Sequence, residues 1–506
     1  MTALSDLGSA LWALSTPMML FHVAWSMLLG IVVGALPGLT ATMGVALMVT
    51  LTYSMDTTAA ILVLICMYVG AIYGGSRSAI LLNIPGTPAS AATSLDGYPL
   101  ARAGRAGQAM GLATAGSMLG TLVGILVMVM VAPLLAELAL EFGSYEMFWL
   151  AVFGVLISGQ LTVTNAPVKG YIAGILGLMV AMIGSEGLHA YVRFSPTQQM
   201  NGGIGLIPAM VGVFGLAEVM TAMWQRQGVL AAARDKSDRI VPSFGEVWRY
   251  RATVLRSGVI GTIVGVIPGV GEDIGAWASY ATAKRLSKKP EEYGQGSTEG
   301  LIAAETGNSA VVPGSLIPAL TLAVPGSASA AVLIAALFIH GIRPGPMIMI
   351  EQPQFISTMG AILILAVIAM TIYGITMTRL FVQVLRVPYA YLMPLVFTLC
   401  VVGTYALSQR MFDVYVMIIF GLAGFVLRQM KYPMAPLVLG IILGTMLDTN
   451  LRRSLMLGNG DLWPFVTRPI SAVFVAIIVM AILLNFGFTR RFLAGIRARV
   501  MRRTDA

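Results

Sequence analysis

Polar side chains and helix-interrupting prolines crowd into one stretch of this otherwise apolar chain: Ser76, Arg77, Asn83, Pro85, Thr87, Pro88, Ser90, Thr93, Ser94 and Asp96, within Ser76–Pro99. Non-helical backbone at membrane depth survives only inside protein or beside a water-filled cavity. Pro85 removes a backbone donor, and Gly86 lets a ligand approach the chain closely. A half-helix starting after Gly86 aims its free N–H groups at an anion. Pro325-Gly326-Ser327 repeats the device. Two positive helix ends that meet suit a carboxylate. Ser76, Arg77, Asn83, Pro85, Gly86, Thr87, Pro325, Gly326 and Ser327 are therefore the candidate substrate-binding residues. Arg77 has two readings, a bidentate grip on a substrate carboxylate or a snorkelling surface charge.

A second set suits a cation. Glu272 and Asp273 follow Pro268-Gly269, and Glu305 lies in Ala304-Glu305-Thr306-Gly307-Asn308-Ser309. Acids within apolar segments default to functional sites. Carboxylates with Asn, Thr and freed backbone carbonyls are hard oxygen ligands, as Na⁺ requires, and a carboxylate can equally carry a proton. Thr40 and Thr42 hold the matching positions in the first half without charge. The candidate cation-coupling set is Gly38, Thr40, Thr42, Gly269, Asp273, Glu305 and Asn308. A competing reading leaves Glu272 and Asp273 in a solvated loop near Lys284 and Arg285.

Other chemistry finds little support. His22, His189 and His340 are scattered, Cys66 and Cys400 lie in apolar runs, and no Gly-Lys-[Ser/Thr] occurs at Walker spacing. The sequence predicts no enzyme, no cofactor and no metal site beyond a coupling ion.

The elements that must position these residues are membrane spans. Of 506 residues, 57% are hydrophobic and only 10% charged, against about 25% charged in soluble domains. Apolar runs near the roughly 20 residues of a spanning helix cover about 107–132, 145–164, 168–188, 203–224, 356–378, 390–408, 411–427, 433–449 and 470–487. Regions 18–75 and 257–341 are apolar but broken by Pro-Gly pairs. The Met1 start has no basic segment, so no cleaved signal peptide is expected. Basic residues set the direction. The Gln225–Arg256 loop and the Arg-rich tail belong inside, and stepping from these anchors puts 24 Lys/Arg inside and 6 outside, Arg77 apart. The net charge of +9 is thus a sidedness signal, not a nucleic-acid footprint. The first 76 residues contain no Lys or Arg, which puts the N-terminus outside and the C-terminus in the cytoplasm.

The chain also repeats itself. Gly30-x-x-x-Gly34-x-x-Pro37-Gly38 matches Gly261-x-x-x-Gly265-x-x-Pro268-Gly269, Ile84-Pro-Gly-Thr87 matches Val324-Pro-Gly-Ser327, and Pro208-x-x-x-Gly212 matches Pro436-x-x-x-Gly440. Because matched spans run in opposite directions by the charge argument, the halves are expected to be inverted repeats, the pattern of secondary transporters. The expected fold is an all-α polytopic membrane protein. It has a first inverted repeat over 1–224, a basic cytoplasmic linker over 225–256 and a second repeat over 257–450. An extra C-terminal span and basic tail fill 451–506. Broken helices or re-entrant hairpins form at the Pro-Gly pairs. Gly116, Gly120 and Gly124 mark a helix-packing face.

These motifs resemble the large membrane subunit of the tripartite tricarboxylate transporter family. The resemblance rests on Gly34-Ala-Leu-Pro-Gly-Leu-Thr-Ala-Thr-Met-Gly44, Tyr73-Gly-Gly-Ser76, Ile80-Leu-Leu-Asn-Ile-Pro-Gly-Thr-Pro88, Asp96-Gly-Tyr-Pro99, Ile267-Pro-Gly-Val-Gly271, Val324-Pro-Gly-Ser327 and His340-Gly-Ile-Arg-Pro-Gly-Pro346. It runs nearly the full length. It implies Na⁺- or H⁺-coupled uptake of di- or tricarboxylates across a bacterial inner membrane. It also implies a small membrane subunit of about four helices and a periplasmic solute-binding protein as partners. Two positions depart from the family pattern: Asn308-Ser309 where Asn-Asn is frequent, and Arg77 where the residue is commonly uncharged. Two other function classes remain open on the residues alone, a passive carboxylate channel and a non-transporting scaffold subunit.

Overall fold

Polar caps decide where many of these apolar helices begin. In a low-dielectric setting the first N–H groups of a helix need an acceptor. Thr16, Thr40, Asp56, Ser297 and Ser327 each supply one, accepting from Met19, Met43, Thr58, Gly300 and Ala330 respectively. The computed structural model describes residues 2–36, 39–162, 167–224, 244–269, 271–377 and 389–485. Pro37, Gly38, most of the 225–256 linker and the basic tail lie outside these residues.

The first half runs α1 (Thr2–Leu14), α2 (Pro17–Ala35), α3 (Ala41–Thr52), α4 (Thr57–Leu82), α5 (Ser90–Leu100), α6 (Ala106–Leu140), α7 (Ser144–Thr162) and α8 (Pro167–Ala181). Two short strands, β1 (Gly184–Ser185) and β2 (Val192–Arg193), pair antiparallel with Gly184 opposite Arg193. Then come α9 (Leu206–Met210) and α10 (Ala217–Trp224), joined by a π-helical stretch. The second half holds α11 (Phe244–Arg249), α12 (Arg251–Val266), α13 (Gly271–Leu286), α14 (Thr298–Leu322), α15 (Ala328–Ile339), α16 (Ile348–Glu351) and α17 (Phe355–Thr376). The chain closes with α18 (Tyr389–Ser408), α19 (Met411–Gln429), α20 (Met434–Leu457), α21 (Pro464–Thr467) and α22 (Pro469–Asn485). Among the described residues, eight helices are long and apolar enough to cross a membrane. This is an all-α polytopic membrane architecture.

Glycine brings the central helices together. A Cβ on Gly30 or Gly34 would strike Met67 or Ala71 of α4, and one on Gly70 or Gly74 would strike Met27 or Ile31 of α2. Contacts that advance together along both helices mean that α2 and α4 run parallel, so α3 between them turns back. The same arrangement recurs in the second half. Gly261 meets Gly307, Gly265 meets Val311, and Gly314 meets Thr262, so α12 and α14 are parallel and α13 turns back. The terminators also match. Asn83 and Ala323 both adopt a left-handed conformation at φ 56°, with Ile84 donating to the Ser78 carbonyl and Val324 to the Pro318 carbonyl. Gly86 packs on Gly34 and Gly75, and Gly326 on Gly265 and Ser315. Close packing of this kind supplies the attraction that lipid-like surroundings deny to apolar side chains.

Between the halves, α6 lies along α14: Gly116, Gly120 and Gly124 face Glu305, Thr306, Ala310 and Pro313. Asp96 of α5 accepts from the backbone N–H groups of Gly294, Gly296 and Ser297 at 2.7–2.9 Å, anchoring the loop that feeds α14. Four arginines that the charge argument assigns to the outside are paired with acids: Arg193 with Asp448, Arg410 with Asp413, Arg452 with Glu186 and Arg468 with Glu146.

Candidate functional site

Where the broken helices end, they enclose a cavity of about 220 Å³. Its wall takes Thr40, Ala41 and Thr42 from the first turn of α3, and Thr87 and Pro88 from the segment before α5. The other half contributes Gly269, Glu272 and Asp273 around the start of α13, and Ser327 and Ala328 at the start of α15. Ile72, Phe214, Arg428, Tyr432, Pro433, Met434 and Ala435 complete it. Most of these positions lie near a Pro-Gly break, because the break frees the first backbone N–H groups of the next half-helix.

Hydrogen bonds lock this region across the halves. Thr42 Oγ1 is 3.1 Å from Ser329 Oγ. Tyr68 Oη lies 3.1 Å from Ser315 Oγ and 2.9 Å from Ser327 Oγ. Glu272 lies beside Tyr68, Ser327 and Ser329, and its Oε1 has no hydrogen-bond partner among the described residues. Arg428 is ion-paired with Glu218 at the cavity edge. The chamber thus joins N-terminal helix dipoles and a guanidinium, which favour an anion, to two carboxylates, which favour a cation. Its volume is below the roughly 300–1,000 Å³ of pockets for drug-sized ligands, and it suits a small solute.

The predicted residues divide. Thr40, Thr42, Thr87, Gly269, Asp273 and Ser327 line the chamber. Gly86, Pro325 and Gly326 are buried in the adjacent turns, Pro85 is half-buried and Asn83 is exposed. Ser76 and Arg77 are fully buried on α4. Arg77 lies over the Tyr73 ring, 4.0 Å from its centroid, and donates to the Met110 carbonyl at 3.1 Å and to Thr114 at 3.4 Å. Its Nε and second terminal nitrogen have no hydrogen-bond partner among the described residues. Glu305 is also fully buried and apart from the chamber wall, accepting from Thr93 and, at 2.8 Å, from Ser117. Asn308 is buried, with neither amide atom partnered among the described residues. Gly38 lies outside the described residues.

Sequence reasoning missed Tyr68, Phe214, Arg428 and Tyr432. Arg428 reads as one more charge at the end of a span; the only signal for a different role is that Tyr432-Pro433 follows it just before the next apolar run.

The Tripartite tricarboxylate transporter TctA family matches residues 20–439 of the chain. The chain is similar to an "uncharacterized 52.8 kDa protein in TAR-I ttuC' 3'region" of Agrobacterium vitis, 35% identical over 487 residues, 94% of this chain and 95% of that protein. It also resembles an "uncharacterized protein in TAR-II ttuC' 3'region" of Agrobacterium vitis, 35% identical over 224 residues, 44% of this chain and 93% of that one. No solved structure matches it.

Proposed function

The chain belongs to the Tripartite tricarboxylate transporter TctA family, and from that premise we propose that it is the large membrane subunit of a Na⁺- or H⁺-coupled importer of di- or tricarboxylates. It works in a bacterial inner membrane with a small four-helix membrane subunit and a periplasmic solute-binding protein. Its halves are inverted repeats, with α2–α3 and α12–α13 as hairpins reaching the membrane middle from opposite sides and the N-terminus in the periplasm.

The observation that carries this reading is the chamber itself, built from equivalent break points of both halves. Its electrostatics supply the coupling. Glu272 and Asp273 repel an incoming carboxylate while both are charged and alone. A cation that binds there, or a proton, cancels the repulsion and leaves the helix N-termini and Arg428 to hold the anion. By reciprocity the anion then strengthens cation binding. Gly-rich packing of α2 on α4 and of α12 on α14 keeps each hairpin a rigid unit while the chamber changes its open side.

The test is uptake of labelled di- and tricarboxylates into proteoliposomes holding both membrane subunits, with the binding protein outside. Accumulation should require a Na⁺ or proton gradient and the binding protein. Equilibrating flux without either would instead identify a passive channel, and absence of flux under every gradient would identify a scaffold.

A further inference from the structure

The two halves carry the same contacts but not the same polar groups, and we infer that this asymmetry builds one binding site for a monovalent cation of Na⁺ size from Asp273, Thr87 and Asn308. The inference deepens the transporter reading and rests on it.

The register comes from matched contacts. Gly30–Met67 corresponds to Gly261–Gly307, and Gly86–Gly75 corresponds to Gly326–Ser315. In that register Tyr68 corresponds to Asn308, Ser315 to Gly75 and Ser327 to Thr87. Likewise Glu272 corresponds to Ala41, rather than to Thr40 as the sequence reading expected, Ser329 to Ala89 and Thr42 to Asp273. One end of the chamber is therefore filled by the Tyr68 hydroxyl with Ser315 and Ser327, beside Glu272. At the equivalent positions of the other half every one of those groups but Thr87 is smaller: Asn308 for a phenol, Ala41 for a carboxylate, Gly75 for a hydroxyl.

The smaller set leaves polar atoms over. Asn308 is 1% exposed and Thr87 3% exposed. Both amide atoms of Asn308 and Oγ1 of Thr87 have no hydrogen-bond partner among the described residues. Gly75 lies directly against Thr87, as Ser315 and Ser327 meet through Tyr68. Asp273 stands where Thr42 stands at the filled end, and both Asp273 and Thr87 line the chamber.

An amide oxygen, a hydroxyl oxygen and one carboxylate are hard ligands carrying a single negative charge, a match for one alkali cation rather than for a divalent ion. Among the described residues no trio of His, Cys, Asp and Glu gathers to hold a transition metal. The filled end has no equivalent place, because the Tyr68 hydroxyl occupies it.

The experiment is thermal unfolding of the purified membrane complex, titrated with NaCl against choline chloride at equal ionic strength, with and without a carboxylate. Wild type should gain stability with Na⁺. Asn308→Ala, Asp273→Asn and Thr87→Val should weaken the apparent Na⁺ affinity at least tenfold. Asn308→Tyr, which rebuilds the filled arrangement, should fold and lose the Na⁺ response, whereas Thr87→Ser and Tyr68→Phe should keep it. Unchanged Na⁺ titrations in Asn308→Ala and Thr87→Val overturn the site. So does a wild type indifferent to Na⁺ but stabilised by carboxylate in choline, the behaviour expected if only water or a proton is bound; the transporter reading then still stands. If no carboxylate stabilises or enters in any salt, the transporter reading itself fails.

Discussion

Thr42 Oγ1 and Ser329 Oγ, 287 positions apart in sequence, lie 3.1 Å from each other and join the first turn of α3 to the first turn of α15. Both residues are buried, at 4% and 0% exposure, so neither hydroxyl has water to turn to when its partner is lost. Thr42→Val or Ser329→Ala should each destabilise the protein by about 1–2 kcal/mol, the cost of one buried group left unsatisfied. The double variant should cost less than the sum of the singles, since the bond between the two hydroxyls is lost only once, while Ser329→Ala also takes a hydrogen bond from Glu272 in both backgrounds. Chemical denaturation in mild detergent reads both quantities, and strict additivity would show that the pair does not couple the halves.

Gly34 and Gly265 offer a matched pair. A Cβ at Gly34 would overlap the Ala71 carbonyl, and one at Gly265 would crowd the Val311 carbonyl and Gly314. Backbone cannot swing aside as a side chain can, so Gly34→Ala and Gly265→Ala should each cost more than the about 1–3 kcal/mol of ordinary overpacking. Gly8→Ala, which meets nothing within 4 Å, serves as the tolerated control. Yield of monodisperse protein and its melting temperature are the readouts, and the two variants should fall together.

Spans and breaks were legible because both leave one-dimensional traces: a long apolar run has no other use, and Pro-Gly stops a helix wherever it falls. The spans expected at 356–378 and 411–427 are α17 and α19 within two residues. The membership of the chamber was only half legible. Thr40, Thr87, Asp273 and Ser327 could be named because they flank the breaks. Arg428 sits at the end of α19 and Phe214 in the π-helical stretch between α9 and α10, neither beside a Pro-Gly pair, and only tertiary packing brings them to the wall. Glu305 and Asp273 look alike as acids in apolar surroundings, yet α6 and α5 cover Glu305 with Ser117 and Thr93 while Asp273 faces the chamber. No spacing rule separates the two.

Arg428 tests the anion side of the chamber. It lines the wall and is paired with Glu218. Arg428→Gln should raise the KM for carboxylate uptake about tenfold or more, the loss of a charge-assisted hydrogen bond of about 1.5–3 kcal/mol. It should also destabilise the protein by leaving Glu218 uncompensated. The double variant Glu218→Gln/Arg428→Gln should recover the stability and not the KM. Recovery of both would assign Arg428 to packing alone.

Glu186 predicts an acid limit to stability outside the spans. Burial pushes its carboxyl up, but the His189 backbone N–H and ring and the Arg452 guanidinium together outweigh this and hold it below the usual carboxylate range. A depressed carboxyl stabilises the fold at pH above its unfolded value, about 4.3, and that stabilisation disappears as pH falls through the lower folded value. Melting temperature should therefore be insensitive to Glu186 protonation near neutrality and drop below about pH 4. Glu186→Gln should start lower at pH 7 and show a shallower fall on acidification; parallel profiles would remove Glu186 from the acid response.

Arg77 and Glu305 meet the same stripe of α6. Arg77 donates to Thr114, and Glu305 accepts from Ser117 three residues further on. Residues at this spacing have Cβ atoms about 5–6 Å apart, so a buried guanidinium and a buried carboxylate stand on neighbouring rungs with no direct ion pair among the described residues. Each charge offsets part of the other's desolvation, and removing one leaves the other less compensated, at a cost bounded by the about 3–5 kcal/mol of a broken direct pair. Glu305→Gln and Arg77→Met should each reduce folded yield and melting temperature sharply. The double variant should recover most of the loss, because it leaves no uncompensated charge. If Arg77 instead grips substrate, Arg77→Met will fold normally and lose uptake, and the double variant will rescue nothing. The comparison of stability with uptake in the same four proteins therefore separates a charge balance across α6 from a ligand-binding arginine.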